Sequence, residues 1–256
     1  MGRNMADLNN YPQCSGDCAD TSDFDFQMAF QPVVDITARR IYAYEALVRG
    51  PQGESAASVL AQVNGNNRYR FDQACRVKAI ETAARLGMDR RLNINFLPKA
   101  VYHPEACLRL TLASAKEFGF PLNLITFEFT EDEQIVDRSH LKSIILTYQK
   151  HGFNTALDDF GAGFSGLSLL ADFQPDTIKI DRFLVTNIDT DKPRQAIVTG
   201  LLKTAQMLGI SVVAEGVERA EEKNMLAEMG VHLFQGFLFA RPSIGPLKQD
   251  DQIDWR

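Results

Sequence analysis

Tryptophan, histidine and cysteine are scarce in this chain, and each shortage removes a class of chemistry. The one tryptophan, Trp255, sits in a polar C-terminal stretch away from any candidate site. The four histidines, His103, His140, His151 and His232, form no pair at ligand spacing, which argues against an iron or zinc enzyme. Four cysteines, at positions 14, 18, 75 and 107, are too few and too scattered for a disulfide scaffold. Cys14-Ser-Gly-Asp-Cys18 resembles a metal or redox pair, but no second Cys or His pair follows it, so two free thiols in a tail are expected. No apolar run approaches the roughly 18 residues of a membrane span. The first residues, Met1-Gly2-Arg3-Asn4, lack the apolar stretch of a secretory signal, so the expected address is the cytoplasm, without a membrane partner. Basic residues are in deficit, 27 against 33 acids, and the net charge of −6 speaks against a surface that grips duplex nucleic acid. A small phosphate ligand remains open to such a chain, because bound cations reverse the field locally.

What is present suits one large domain. The 256 residues are 45% hydrophobic, enough for a sizeable core. Residues 1–24 are polar and without period, a tail or lid; 25–247 form the domain; 248–256 form a second polar tail. Four helical stretches end in glycine followed at once by an apolar residue: Gly87-Met88, Gly152-Phe153, Gly209-Ile210 and Gly230-Val231. Glycine after a helix takes the left-handed cap that other residues resist. The helices expected include 70–86, 133–150, 194–208 and 220–229. Strands are expected at 29–34, 41–47, 91–95, 125–128, 154–158, 177–180, 211–215 and 233–235. Such alternation favours a parallel sheet, open or closed into a barrel. Only a short polar link separates the first two strands, too short for a crossover helix, so they form an antiparallel hairpin. The expected fold is therefore α/β, a TIM-like (β/α)8 barrel with one antiparallel strand near the N-terminus.

The ends of those strands are polar. Glu45, Asn95, Glu128, Asp158 with Asp159, Lys179, Glu215 and Gln235 all fall at or near a strand's C-terminal end. A lone carboxylate on an apolar strand is costly to bury, so repeated acids point to a shared site. In a barrel these ends converge on the face where barrel enzymes place their chemistry. Carboxylate and amide oxygens suit hard cations, Mg²⁺ or Mn²⁺, and adjacent aspartates suit one carboxylate shared between two ions. A competing pattern, Gly161-Ala-Gly-Phe-Ser-Gly166, matches a dinucleotide-binding loop with Asp181 as the ribose acid. Two aspartates before the loop would repel a pyrophosphate, and that reading leaves Glu45, Glu128 and Glu215 without a role. Phe164 and Phe237 read as packing residues rather than base-stacking platforms.

Seven ordered blocks carry a resemblance. They are Glu45-Ala46-Leu47-Val48-Arg49, Asn95-Phe96-Leu97-Pro98, Phe127-Glu128-Phe129-Thr130-Glu131, Asp158-Asp159-Phe160-Gly161-Ala162-Gly163, Lys179-Ile180-Asp181, Ala214-Glu215-Gly216-Val217-Glu218 and Phe234-Gln235-Gly236. Over nearly all of residues 26–243 the chain resembles the EAL-domain cyclic di-GMP phosphodiesterases. The resemblance implies that Glu45, Asn95, Glu128 and Asp158 hold a first metal ion, and that Asp158, Asp159 and Glu215 hold a second. It implies that Lys179 touches the attacking water, as general base or electrostatic guide, and that Glu131 braces the loop carrying Asp159. Gln235 orients water or phosphate, and Gln31 and Arg49 contact the dinucleotide. The implied reaction opens cyclic di-GMP to linear 5′-pGpG, and by analogy with the family a homodimer is expected. Leu97 stands where the family usually has serine, and the stretch from Gly50-Pro51 to Asn67 is similar to the subgroup found in blue-light-regulated proteins. No Gly-Gly-Asp-Glu-Phe block is present. The alternative is a receptor that binds cyclic di-GMP without hydrolysing it and acts through a protein partner; lost metal ligands would mark that class, and none is missing.

Overall fold

The computed structural model describes residues 24–101, 103–130, 138–163 and 166–255, organised around a sheet of nine strands. The tail with Cys14 and Cys18 lies outside the described residues. Strand β1 (Gln27–Asp35) turns into β2 (Arg40–Arg49) as an antiparallel hairpin that sets Gln31 opposite Glu45. From β2 the sheet runs parallel through β3 (Arg91–Asn95), β4 (Ile125–Thr130), β5 (Asn154–Phe160), β6 (Thr177–Ile180), β7 (Ser211–Ala214) and β8 (Leu233–Phe234). Strand β1 pairs antiparallel with both β2 and β8, so the sheet closes into a ring of eight. A short β9 (Ser243–Ile244) bonds to β1 outside the ring. Closure disposes of the open, doubly wound sheet that a dinucleotide loop would need.

Helices clothe the ring: α1 (Ala56–Leu60), α2 (Arg68–Arg85), α3 (Pro104–Phe118), α4 (Arg138–Lys150), α5 (Gly166–Asp172), α6 (Arg182–Val185), α7 (Lys192–Leu208) and α8 (Ala220–Glu228). All four glycines that were expected to end helices have positive φ, and Gly119 after α3 adds a fifth helix–glycine–strand unit. Helix α3 was not legible in sequence because its buried face is built largely from small or polar side chains, Cys107, Thr111, Ser114 and Ala115 among them. Among the described residues no helix is long and apolar enough to cross a membrane.

Strand alternation splits the interior into two cores. Outward-facing Leu92, Ile94, Phe127, Leu157, Ile178 and Phe234 pack under the helices in one large cluster. Inside the ring, Val33, Ala43, Val213 and Leu233 form a small apolar floor. The polar side chains two residues along the same faces, Gln31, Glu45, Glu215 and Gln235, therefore stand above that floor. Residues 248–255, though polar in sequence, dock on the barrel. Asp250 Oδ1 accepts from the Ile41 amide (2.7 Å), the Trp255 indole donates to the Asp250 carbonyl (2.9 Å), and Ile253 is buried.

Just past β8, Gly236 runs against the backbone of Val217. An added Cβ there would lie 2.0 Å from the Val217 carbonyl oxygen and 2.5 Å from its nitrogen. Gly236→Ala is expected to destabilise the fold by about 1–3 kcal/mol, the scale of overpacking a rigid site. Gly65→Ala, where an added Cβ meets nothing within 4 Å, is expected to stay within about 0.5 kcal/mol of the parent. Urea denaturation of the two variants checks this.

Candidate active site

The seven polar strand ends do converge. Lys179, on β6 and 1% exposed, aims its Nζ at four carboxylates: Glu215 Oε1 at 2.7 Å, Glu128 Oε2 at 2.9 Å, Asp158 Oδ1 at 3.2 Å and Glu45 Oε2 at 3.3 Å. Amides complete the cluster. Asn95 Nδ2 donates to Glu45 Oε1 (2.8 Å), Gln235 Nε2 to Glu45 Oε2 (2.7 Å) and Asn93 Nδ2 to Glu128 Oε1 (2.7 Å). Gln235 Nε2 also reaches Gln31 Oε1 (3.2 Å), whose own Nε2 donates to the Ala240 carbonyl (3.1 Å). Glu45 lies within β2 rather than at its end, opposite Asn93 of β3, and its Oε2 still reaches Lys179 Nζ at 3.3 Å.

Asp158 and Asp159 present a geometric problem, because successive residues of a strand point to opposite faces. A register irregularity between Leu157 and Phe160 solves it, together with φ of 54° at Asp159, a left-handed conformation that side-chain-bearing residues rarely adopt. The kink turns Asp159 back toward its neighbour, and its amide donates to Asp158 Oδ1 (3.0 Å). One oxygen each from Glu45, Glu128 and Asp158 lie within 4.8 Å of one another, and the same holds for Asp158, Asp159 and Glu215. Asp158 belongs to both groups.

The electrostatics follow from crowding. Burial raises the Glu128 and Glu215 carboxyls well above the usual range, and neighbouring acids, Glu45 and Asp158 among them, push the same way against the pull of Lys179. Burial by itself disfavours the Lys179 charge, but Asp158, Glu128, Glu215 and Glu45 together overcome it and hold the ammonium well above its ordinary value. Asp159 is pushed up to about 6, first by burial and then by Asp158 and Asp181. Five carboxylates thus face one ammonium, and two divalent cations would cancel the excess. The donor set is all oxygen, in two three-carboxylate groups sharing one member, and Gln235 Oε1 is buried with no partner among the described residues. These residues fit a pair of hard cations.

A cavity of about 270 Å³ opens above the cluster, lined by Gln31, Glu45, Leu47, Asp158, Asp159, Glu215, Gln235 and, toward the rim, Asp181, Arg182, Glu218 and Phe237. Phe237 was expected to pack inside. It is instead 45% exposed, with the Arg241 guanidinium stacked on its ring at 4.1 Å. Asp181 caps α6, accepting from the Phe183 amide (2.7 Å). Arg49, the last residue of β2, is not brought to the cluster; its guanidinium donates to the Val48 carbonyl (2.7 Å). Glu131 lies outside the described residues. Sequence reading missed Asn93, although its place two residues before Asn95, on the same face of β3, was the signal.

Comparison with known proteins finds relatives over most of the chain. The EAL domain profile matches residues 20–242. The blue light- and temperature-regulated antirepressor BluF of Escherichia coli K12 is 35% identical over 228 residues, 89% of this chain; the chain spans 57% of BluF's length. The solved structure of a standalone versatile EAL protein from Vibrio cholerae O395, in a c-di-GMP-bound form, superposes with a TM-score of 0.86 at 52% identity. The match covers 88% of this chain and 95% of that one. A manganese and cyclic di-GMP complex of Klebsiella pneumoniae BlrP1 superposes with a TM-score of 0.81 at 40% identity, covering 85% of this chain and 56% of that one.

The raised Asp159 carboxyl has a measurable consequence. In the folded chain it keeps a proton that the unfolded chain has released, so between 3.8 and about 6 it erodes stability as pH rises. In EDTA, Asp159→Asn should lose that part of the slope, leaving a flatter dependence of the denaturation midpoint on pH across this window. Parallel slopes for the two proteins would contradict the assignment.

Proposed function

The chain belongs to the EAL domain family, and from that footing we propose that it hydrolyses cyclic di-GMP to linear 5′-pGpG with two divalent cations, Mg²⁺ or Mn²⁺. The observation that carries the proposal is the double carboxylate group pivoting on Asp158 at the floor of an open cavity. Glu45, Asn95, Glu128 and Asp158 would hold one ion, and Asp158, Asp159 and Glu215 the other. Bound there, the ions supply Lewis-acid polarisation of a phosphate oxygen and make water more acidic. The chain's own groups do the rest. Lys179, charged and nearly inaccessible, offers its ammonium to a water or phosphate oxygen at the cavity floor and guides the nucleophile toward phosphorus. Gln235 and Gln31 orient water and substrate from the neighbouring wall, and Arg49 would have to leave the Val48 carbonyl to meet a phosphate with its forked donors. Leu47 in the wall and the exposed Phe237 ring at the rim give the cavity apolar surface suited to a guanine face.

A second reading is favoured by one observation, the likeness to a protein named as an antirepressor: a receptor that binds the dinucleotide without turnover and passes the signal to a protein partner. The complete acid set weighs for hydrolysis. The cytoplasm is the proposed address, in keeping with unpaired thiols at Cys75 and Cys107. A homodimer is proposed by analogy with the family.

Purified protein incubated with cyclic di-GMP and Mg²⁺ or Mn²⁺ should release linear dinucleotide, and EDTA should stop it. Glu45→Ala and Asp158→Ala should each lower turnover by about a hundredfold to a thousandfold, the scale on which losing a principal electrostatic stabiliser acts. Tight binding of unchanged cyclic dinucleotide in the presence of either metal would move the receptor reading to first place.

A further inference from the structure

Helix α2 carries a buried ion pair that the chemistry above does not use. Asp72 and Arg76, one helical turn apart, are 3% and 0% exposed, with Nη2 and Oδ2 2.7 Å apart. The guanidinium lies against the rings of Phe127 (5.0 Å), Phe96 (5.5 Å) and Tyr148 (5.7 Å), and Nη1 donates to the Tyr148 hydroxyl (2.8 Å). The other carboxylate oxygen, Asp72 Oδ1, accepts the backbone N–H of Leu97 (2.9 Å). Strand alternation connects these contacts to the site. Phe96 and Phe127 face outward because Asn95 and Glu128, registered partners on β3 and β4, face into the barrel. The Phe96 amide also donates to the Glu128 carbonyl (2.9 Å).

A buried ion pair gives a helix–strand interface little that well-packed apolar side chains of similar volume would not. What apolar side chains lack is an acceptor for the Leu97 amide, which has left the strand ladder. We infer that Asp72, oriented by Arg76, is a positioning residue: it anchors residues 95–97 through the Leu97 amide and so keeps Asn95 and Glu128 at ligand distance from a shared cation. The inference rests on the two-cation reading. The anchor is the backbone amide, so the Leu97 side chain is free to line an apolar cavity of about 290 Å³ with Leu60, Cys75 and Ile94.

The double substitution Asp72→Leu with Arg76→Met replaces the pair by apolar side chains and leaves the Leu97 amide without an acceptor. In metal-free protein, hydrogen exchange at Leu97 should quicken at least about tenfold, and by more than at the amides of β6 and β7, which report any general loss of stability from the unpaired amide. The dissociation constant for Mn²⁺ alone, read by titration, should rise about tenfold to a hundredfold, as when a ligand loses its supporting partner. At saturating Mn²⁺ the KM for cyclic di-GMP should stay within about twofold, since the anchor acts on a metal ligand and not on substrate. Asp72→Asn with Arg76→Met restores an acceptor and should recover most of the Mn²⁺ affinity. Wild-type exchange and Mn²⁺ affinity in the apolar double variant would overturn the inference. Should that variant fail to fold, Arg76→Lys, which keeps the charge but loses the planar stack, must move both readouts the same way by less, and no movement overturns the inference too. A parent chain that binds no Mn²⁺ would instead remove the two-cation reading, and Leu97 exchange would still decide whether Asp72 anchors the segment.

Discussion

Carboxylates gathered around the Lys179 ammonium are the arrangement on which everything else in this barrel depends. Two carboxylates within 4.8 Å repel each other by on the order of 3 kcal/mol at an effective dielectric of about 20, and the cluster contains several such pairs. Left to themselves the side chains would swing apart or take up protons. One buried ammonium and three amide donors, from Asn93, Asn95 and Gln235, hold them together. Burial first, and then the neighbouring acids that this single positive charge leaves uncompensated, raise the carboxyls of Glu128 and Glu215. A pair of divalent cations would complete the charge balance of an otherwise unfavourable cluster.

Holding like charges together demands a stiff frame. A closed ring provides it, because each strand is bonded on both sides and no acid-bearing edge is free to relax. The outer layer adds to this. Phe96, Phe127, Phe129, Tyr148 and Phe153 form a continuous aromatic contact between strands and helices, behind the face that carries Asn95 and Glu128. Apolar packing outside and charge inside are therefore two faces of the same strands. The apolar floor of Val33, Ala43, Val213 and Leu233 lies beneath the acids, and the cavity that exposes Asp158, Asp159 and Glu215 opens on the acidic side.

Much of this was legible from residue order because alternation in strands is a local rule. Apolar runs broken by glycine-capped helices marked the strands, and acids ending those runs stood out against the cost of burying them. The short link between the first two strands required an antiparallel hairpin, which is what β1 and β2 form. Less legible were features whose cause is distant in the chain. Helix α3 hides its buried face behind cysteine, threonine and serine. Asn93 looked like an ordinary polar strand residue until Glu128 was placed 2.7 Å away. Phe237 read as core because composition alone does not reveal which aromatic side chain stands at a rim.

Residue order carries the inventory: which strands exist, which of their ends are acidic, and that oxygen ligands rather than histidine or cysteine meet any metal. Those properties follow from local propensity and from the free energy of burying one residue type at a time. Only the tertiary structure decided that Gln235 and Glu45, 190 positions apart, share a hydrogen bond, and that β1 closes the ring. The same holds for the kink that turns Asp159 onto the face of Asp158, and for Asp72 reaching across to hold the Leu97 amide. Electrostatic interactions among buried groups depend on distances between segments, and those distances exist only after the chain has closed on itself.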